Sequence, residues 1–156
     1  MSHMLNPHQF IQLIPKAVEW VQQKEQEILN IGTPLSESQL QDARTIPVMH
    51  PEKVRLLRVN HIPLPDDPEL KFAAQVIQLI TPNTWGLSLR YGILIRNDRW
   101  NNRETLIHEL VHTSQYERLG GHQHFLNQYL TECIYPGYPA APLEQEAINK
   151  AILICT

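Results

Sequence analysis

The chain has 156 residues, 42% hydrophobic and 19% charged, with a formal net charge of −3. That length suits a single domain able to bury about 70% of its unfolded surface, and the composition is that of a globular protein, neither fibrous nor disordered. The slightly negative balance excludes the broad basic footprint of a nucleic-acid or anionic-membrane binder.

No apolar run approaches the roughly 18 residues of a membrane span. Cys133 and Cys155 form no CxxC pair and read as free thiols in a reducing compartment. With no basic-then-apolar leader, a cytoplasmic location is expected. Met1-Ser2-His3-Met4 reads as an expression-tag remnant, which leaves residues 5–156 as one domain.

Asn6-Pro7 is a helix entry, with Asn as cap and Pro in the first turn. Phe10, Leu13, Ile14, Ala17, Val18 and Val21 then follow a helical period up to a stop at Gly32. Pro15 is positioned to kink or split this helix. Residues 33–44 read as a loop and a short helix capped by Ser36 or Ser38. Val54 to Val59 is a candidate strand. Three prolines and two aspartates make 61–68 a loop. Asp67-Pro68-Glu69 opens a helix expected to bury Phe72, Ala73, Val76, Ile77 and Ile80 and to end at Pro82-Asn83.

From Trp85 to Arg96 the period changes to two. Leu87, Leu89 and Tyr91 alternate with Ser88 and Arg90, and Ile93 and Ile95 continue beyond Gly92. One or two strands are expected, with Gly92 at a bulge, a turn or a close backbone approach. A turn at 97–100 leads to Asn101, read as the cap of the next helix, with Glu104 completing a capping box. That helix stops at Gly120-Gly121. A further helix spans His122 to Cys133, with Phe125, Leu126, Tyr129 and Leu130 on one side. A tight loop at 135–139 precedes a last helix from Pro142.

The helix after Asn101 carries His108-Glu109-Leu110-Val111-His112, an HExxH motif. Residues four apart share a helix face, so both imidazoles can reach one ion at the usual Zn–N distance of about 2.0–2.1 Å. Glu109 projects beside them, where a carboxylate can take a proton from an activated water. A catalytic zinc needs a third protein ligand. The metzincin arrangement is excluded, because Gln115 and Arg118 stand where it needs glycine and histidine. The remaining donors are His122, His124, Glu117, Glu132, Glu144 and Glu146.

With that motif in place, the chain resembles gluzincin-type zinc metallopeptidases. In these, HExxH is followed a few tens of residues later by a glutamate in an E-x-x-A-D or similar run. Glu144-Gln145-Glu146-Ala147-Ile148 puts Glu144 at the ligand position and Ala147 at the small-residue position, with Ile148 in place of the aspartate. Glu146 is the competing ligand, and two residues of separation on a helix allow only one of the pair to reach the metal. Gln145, Asn149 and Glu104 are candidates to replace the missing aspartate beside the first histidine. The runs HELVHTSQYERLGG, FLNQYL and GYPAAPLEQEA also resemble small uncharacterised bacterial proteins of this metallopeptidase-like group. The resemblance covers Trp85 to Ala147.

The resemblance implies an α+β, mostly helical zincin-like domain with a small sheet beside the HExxH helix. It also implies zinc held by His108, His112 and Glu144, Glu109 as catalytic base, and a peptide or protein substrate. The strand near Leu87–Arg96 is the expected rest for an extended peptide, or a plain core strand. Tyr135, Tyr138, His122 and His124 are the candidate donors to an oxyanion. Arg90, Arg96, Arg99 and Arg103 suggest either an acidic substrate group or a solvated face. Tyr116 and Cys133 read as packing. The alternative function is a metal-stabilised interaction or regulatory module without hydrolysis. No nucleic-acid or membrane partner is expected, and the sequence leaves the oligomeric state open.

Overall fold

A four-stranded sheet forms the middle of the molecule, with helices on both faces. The computed structural model describes residues 6–156, so the tag remnant at 1–4 and the domain start at residue 5 lie outside the described residues. In chain order the elements are α1 (Pro7–Ile31), β1 (Thr33–Pro34), α2 (Glu37–Thr45), β2 (Arg55–Val59), α3 (Pro68–Val76), β3 (Gly86–Leu89), β4 (Gly92–Arg96), α4 (Arg103–Leu119), α5 (His122–Glu132) and α6 (Pro142–Cys155). The fold is α+β and mostly helical.

The strand order is β1-β2-β4-β3. β2 and β4 run parallel, and the outer pairs β1–β2 and β3–β4 are antiparallel. Because side chains alternate along a strand, β4 feeds two cores. Ile93 and Ile95 pack with Leu106, Ile107, Leu110 and Val111 of α4. Leu94 faces the other way, toward the core of α1, α3 and α5. Residues 92–95 are therefore all buried, the pattern of a strand covered on both faces.

Gly92 is where α1 lies against the sheet. A Cβ there would stand 3.0 Å from Ile28 Cβ and 3.3 Å from the Glu25 Cα. Of the three roles the sequence leaves for Gly92, the structure realises the close approach, and β3 and β4 are two strands joined by Arg90-Tyr91. Arg90 adopts a left-handed φ of 79°, a conformation unfavourable for a side chain with a Cβ. Its surroundings hold it there. The guanidinium donates to Glu25 at 2.9 and 3.2 Å, and the Tyr91 N–H donates to the same carboxylate at 2.9 Å. The Arg90 carbonyl accepts from Thr113 Oγ1 of α4 at 2.6 Å. Thr113 follows His112 directly, so this contact ties the hairpin to the motif helix and sets β3 alongside it.

Helix α4 is buried on nearly every side between Thr105 and Tyr116, as befits a helix at the centre of a domain. Its cap differs from the sequence expectation by one residue. Asn102 Oδ1 accepts from the Thr105 N–H at 2.8 Å and from Thr105 Oγ1 at 2.9 Å. Asn101 lies in the preceding turn, and with Asn102 as cap the box position falls on Thr105, so Glu104 forms no capping box. Two adjacent asparagines look alike in sequence, and the turn before them decides which one caps.

Helix α3 departs further. It ends at Val76, before Gln78 at φ 60°, rather than at Pro82-Asn83. The helix and the residues after it bury the expected Ala73, Ile77 and Ile80 together with Leu70 and Ala74, while Phe72 and Val76 are exposed. Both sets fit a helical period, and packing on α1 selects the one with small residues. Helix α1 runs through Pro15 as one helix. Ser36 caps α2 in a complete capping box with Gln39.

Replacing Asn102 with Ala should cost about 1 kcal/mol of stability through the lost cap, whereas Asn101→Ala should change it by less than about 0.5 kcal/mol, as for an ordinary surface site. Urea melts of the two variants test this, and equal losses would move the cap back to Asn101.

Candidate metal centre

His108 and His112 sit one turn apart on α4, and Glu144 enters from the first turn of α6. Glu144 Oε2 lies 2.7 Å from His108 Nε2, and Glu144 Oε1 lies 2.9 Å from His112 Nε2. One donor atom from each of the three residues lies within 4.8 Å of the others. The Glu144 side chain is 2% exposed and that of His108 is 21% exposed, so the group is closed on the helix side and open at His108.

The sequence leaves Glu144 and Glu146 as rivals, and the structure separates them. Glu146 points the other way. It accepts from both guanidinium nitrogens of Arg118 and from Gln115 Nε2, which hold its carboxyl down at about 2. Glu144 is the acid that converges with the histidines.

Gln115 fixes the chemistry of His112. Its Nε2 donates to the Leu143 carbonyl at 2.9 Å and to Glu146 at 2.8 Å. Its carbonyl oxygen therefore faces His112 Nδ1, 2.7 Å away, and only an N–H can stand there. In the neutral ring this leaves the lone pair on Nε2, which points at Glu144. Two acceptors 2.9 Å apart need a cation between them. In the metal-free chain that cation is a proton. Burial alone would lower the His112 pKa, but the Glu144 carboxylate outweighs it and lifts the ring to about 9.

A zinc ion meets the same demand, and the donor set of two imidazoles and a carboxylate is a zinc set. Zn–ligand bonds of about 2.0–2.2 Å would set tetrahedral donor atoms about 3.3 Å apart, so the two present contacts must open by about half an ångström. The residues therefore fit a metal, with Gln115 orienting the second histidine as an outer hydrogen-bond partner does in such sites.

The other sequence candidates divide clearly. Glu109 is buried beside the group. Burial is the main influence on its carboxyl and pushes its pKa up, against the pull of the two histidines. Gly86 on β3 makes room for it, since a Cβ there would stand 3.1 Å from Glu109 Cγ. The Tyr138 hydroxyl reaches Glu144 Oε2 at 3.5 Å. Tyr135 is 84% exposed and His124 is exposed, so neither faces the site. His122 is committed elsewhere, 3.0 Å from Glu25. Glu117 accepts from the Met49 and His50 N–H groups and from Tyr91 OH, and Glu132 from the Leu143 N–H. Gln145 donates to the Pro139 carbonyl, away from the histidines.

No protein-family model, curated protein or solved structure matches the chain. What the site can do rests on its own geometry. Two residues in it were legible only as something else. Tyr129, readable as an apolar helix position, donates its hydroxyl to Glu144 Oε1 at 3.0 Å. Gln115, notable in sequence for what it is not, is the group that orients His112. Tyr116 stacks on Phe125 beneath the site, and Cys133 is core, its thiol pushed up to about 12 by burial. Three of the four arginines are paired, Arg90 with Glu25, Arg96 with Asp98 and Arg103 with Asp42. The fourth, Arg99, lies over the Trp85 ring at 3.5 Å.

Two consequences follow from the raised pKa of His112. Because the folded value lies above 6.5, the stability it brings to the metal-free chain is complete below pH 6.5 and is lost as pH rises through about 9. Zinc uptake at pH 7 must also displace that proton, so about one proton per ion should be released. Calorimetric titration in two buffers of different ionisation enthalpy measures it. Uptake without proton release would show that His112 is neutral beforehand.

Proposed function

We propose that the chain is a zinc-dependent metallohydrolase of the gluzincin type, acting on peptides or proteins. One observation carries the reading: a buried carboxylate from α6 meets the Nε2 atoms of an HExxH pair, with the motif glutamate packed beside them. Zinc held by His108, His112 and Glu144 would supply a Lewis acid that lets a water lose a proton near neutral pH.

Glu109 and Glu144 have opposite environments, which supports a division of labour. Burial raises the Glu109 carboxyl, whereas hydrogen bonds from both histidines overcome burial and depress Glu144. A carboxylate whose pKa is raised is suited to moving protons, and one held ionised is suited to ligation. In the proposed reaction the water oxygen attacks the carbonyl carbon while Glu109 takes the proton. Glu109 then returns that proton to the leaving nitrogen as the C–N bond breaks, so one water adds across the amide.

The Tyr138 phenol is the proposed donor to the carbonyl oxygen as it gains charge. Burial and the nearby Glu144 raise its pKa, so it keeps its proton. The groove beside the triad has a volume of ≈ 330 Å³ and is lined by Trp85, Gly86, Tyr138 and the site residues. β3 is the outermost strand on that side of the sheet, which supports the idea that an extended substrate lies along it. No helix among the described residues is long and apolar enough to cross a membrane, and both cysteines are free. A cytoplasmic site of action is part of the same proposal.

The closed Glu144–histidine contacts favour a second reading, a metal-stabilised module with no turnover. Glu109→Gln separates the two. Under the hydrolase reading the variant keeps stoichiometric zinc, while chelator-sensitive cleavage of a peptide library falls by about 100-fold or more. Wild-type protein that binds zinc, gains melting temperature and cleaves nothing establishes the module instead. Tyr138→Phe should lower kcat by about 100-fold with little change in KM. A change confined to KM would remove Tyr138 from the oxyanion role.

A further inference from the structure

Another pocket lies toward the C-terminal end of α4, away from the metal centre. It is open, has a volume of ≈ 570 Å³, and sits between the turn at Pro51–Lys53, the β3–β4 turn and Glu117 to Gly121. It shares no residue with the groove beside the triad. Glu117 follows His108 by nine residues, which is roughly 13 Å along a helix.

The walls are fixed by hydrogen bonds of the chain itself. Glu117 accepts from the Met49 and His50 N–H groups and from the Tyr91 hydroxyl, which pins loop and hairpin to α4. The Arg55 N–H donates to the Tyr91 carbonyl at 2.8 Å. Gly120 and Gly121 leave the remaining wall without side chains.

Positive charge gathers here against the trend of the chain. The net charge is −3, yet Lys53, Arg55 and Arg90 line this pocket against one acid, Glu117. Arg90 is paired with Glu25. Among the described residues, neither Lys53 nor Arg55 forms a salt bridge. Glu117 is no partner for them, because its oxygens accept from the three donors above. Arg55 is steadied instead by backbone, with Nη1 donating to the Glu52 and Val54 carbonyls at 3.0 and 2.8 Å. The other two guanidinium nitrogens stay available as donors. Lys53 Nζ lies 5.5 Å from the centre of the Tyr91 ring, a cation–π contact that keeps it beside the pocket.

A pocket that offers cations and donors, and whose own acid is occupied, suits an anion. Two uncompensated charges match a dianion. A phosphate monoester carries about −1.5 to −2 at pH 7 and three acceptor oxygens, which an arginine fork and a lysine point charge can share. The volume falls within the about 300–1,000 Å³ of small-molecule sites, and Leu29 and Met49 give the pocket an apolar side for the organic part of the ester.

We infer that Lys53 and Arg55, with Arg90 beside them, form a binding site for a small phosphate monoester in the pocket between the turn before β2, the β3–β4 turn and the end of α4. The site is separate from the metal centre and does not rest on the hydrolase reading.

The test uses metal-free protein titrated with phenyl phosphate, inorganic phosphate and citrate at an ionic strength of about 0.15 M, followed by amide NMR. Phenyl phosphate should give saturable shifts at Lys53, Arg55, Tyr91 and Gly121 with a Kd below about 1 mM, and inorganic phosphate should move the same signals with weaker affinity. Shifts that do not saturate, that sodium chloride alone reproduces, or that are confined to residues around His112 overturn the inference. Bare phosphate binding as tightly as the ester removes the organic part of the assignment, and citrate binding more tightly than phenyl phosphate gives the pocket to carboxylates; either result overturns the monoester. Lys53→Gln and Arg55→Gln should each weaken phenyl phosphate by at least about ten-fold. Arg58→Gln removes the same charge from the same strand but outside the pocket, and should change the affinity by less than about two-fold. Equal losses in all three variants would reduce the effect to general charge attraction and overturn the site. Should Arg55→Gln fail to fold by circular dichroism, Lys53→Gln at its exposed position and Arg58→Gln still decide.

Discussion

A carboxylate 2% exposed cannot stay ionised without cations or donors around it, and that requirement governs the centre of this molecule. Glu144 is surrounded by two imidazoles from α4 and two phenols, from Tyr129 and Tyr138. The phenols can only donate a neutral hydrogen bond. The imidazole of His112 cannot donate while it is neutral, because Gln115 takes its one N–H. A positive charge must therefore enter between His112 and Glu144, as a proton or as a metal. Two helices separated by α5 in the sequence, α4 and α6, are held together by that need.

The same device recurs further along α4, next to Tyr116. Glu25 is buried in the C-terminal part of α1 and accepts from Arg90, the Tyr91 N–H and His122. Burial alone would raise its pKa, but these donors together hold it below the usual carboxylate range. The group joins α1, the β3–β4 turn and α5, and it holds Arg90 at a left-handed φ that a free hairpin would give to glycine. Through the Arg90 carbonyl and Thr113, the turn is fixed to the residue after His112. The position of β3 beside the motif helix thus depends on an acid in α1, and Gly86 completes the fit by leaving space for Glu109.

Much of this was readable in the chain and some was not, for physical reasons. Helix existence followed from period and punctuation, as with Asn6-Pro7 before α1, Asp67-Pro68 before α3 and Gly120 after α4. The change of period marked strand structure from Trp85 to Arg96 but left open whether it was one strand or two, which the turn at Arg90-Tyr91 decides. What the period could not supply was the choice among equivalent faces. In α3 two apolar stripes overlap, and only packing against α1 shows that Leu70 and Ala74 go inward while Phe72 and Val76 do not. At the site, HExxH spacing marked His108, Glu109 and His112. Which glutamate meets them depended on where α6 is rotated, and Arg118 together with Gln115 takes Glu146 away. Long-range polar partners such as Gln115, Tyr129 and Glu25 carry no local signature. A glutamine inside a helix or a glutamate in α1 reads as a solvated residue until the fold places a partner opposite.

The two carboxylates at the centre differ by what surrounds them, and this bears on the proposed chemistry. Glu109 follows His108 directly and is as buried as its neighbours, yet it lacks the ring of donors that Glu144 has. On α4 and packed against Gly86 of β3, it has burial raising its pKa more than its neighbours lower it, which favours a bound proton. Glu144 has its charge fixed by hydrogen bonds from both sides. An acid that readily holds a proton next to one that does not is the asymmetry a hydrolytic site requires, because one group must accept and release while the other stays put. A purely structural triad would have no use for the first. The burial of Glu109, opposed only by the pull of the two histidines and a backbone hydrogen bond, is the feature on which the proposed proton-transfer role would draw.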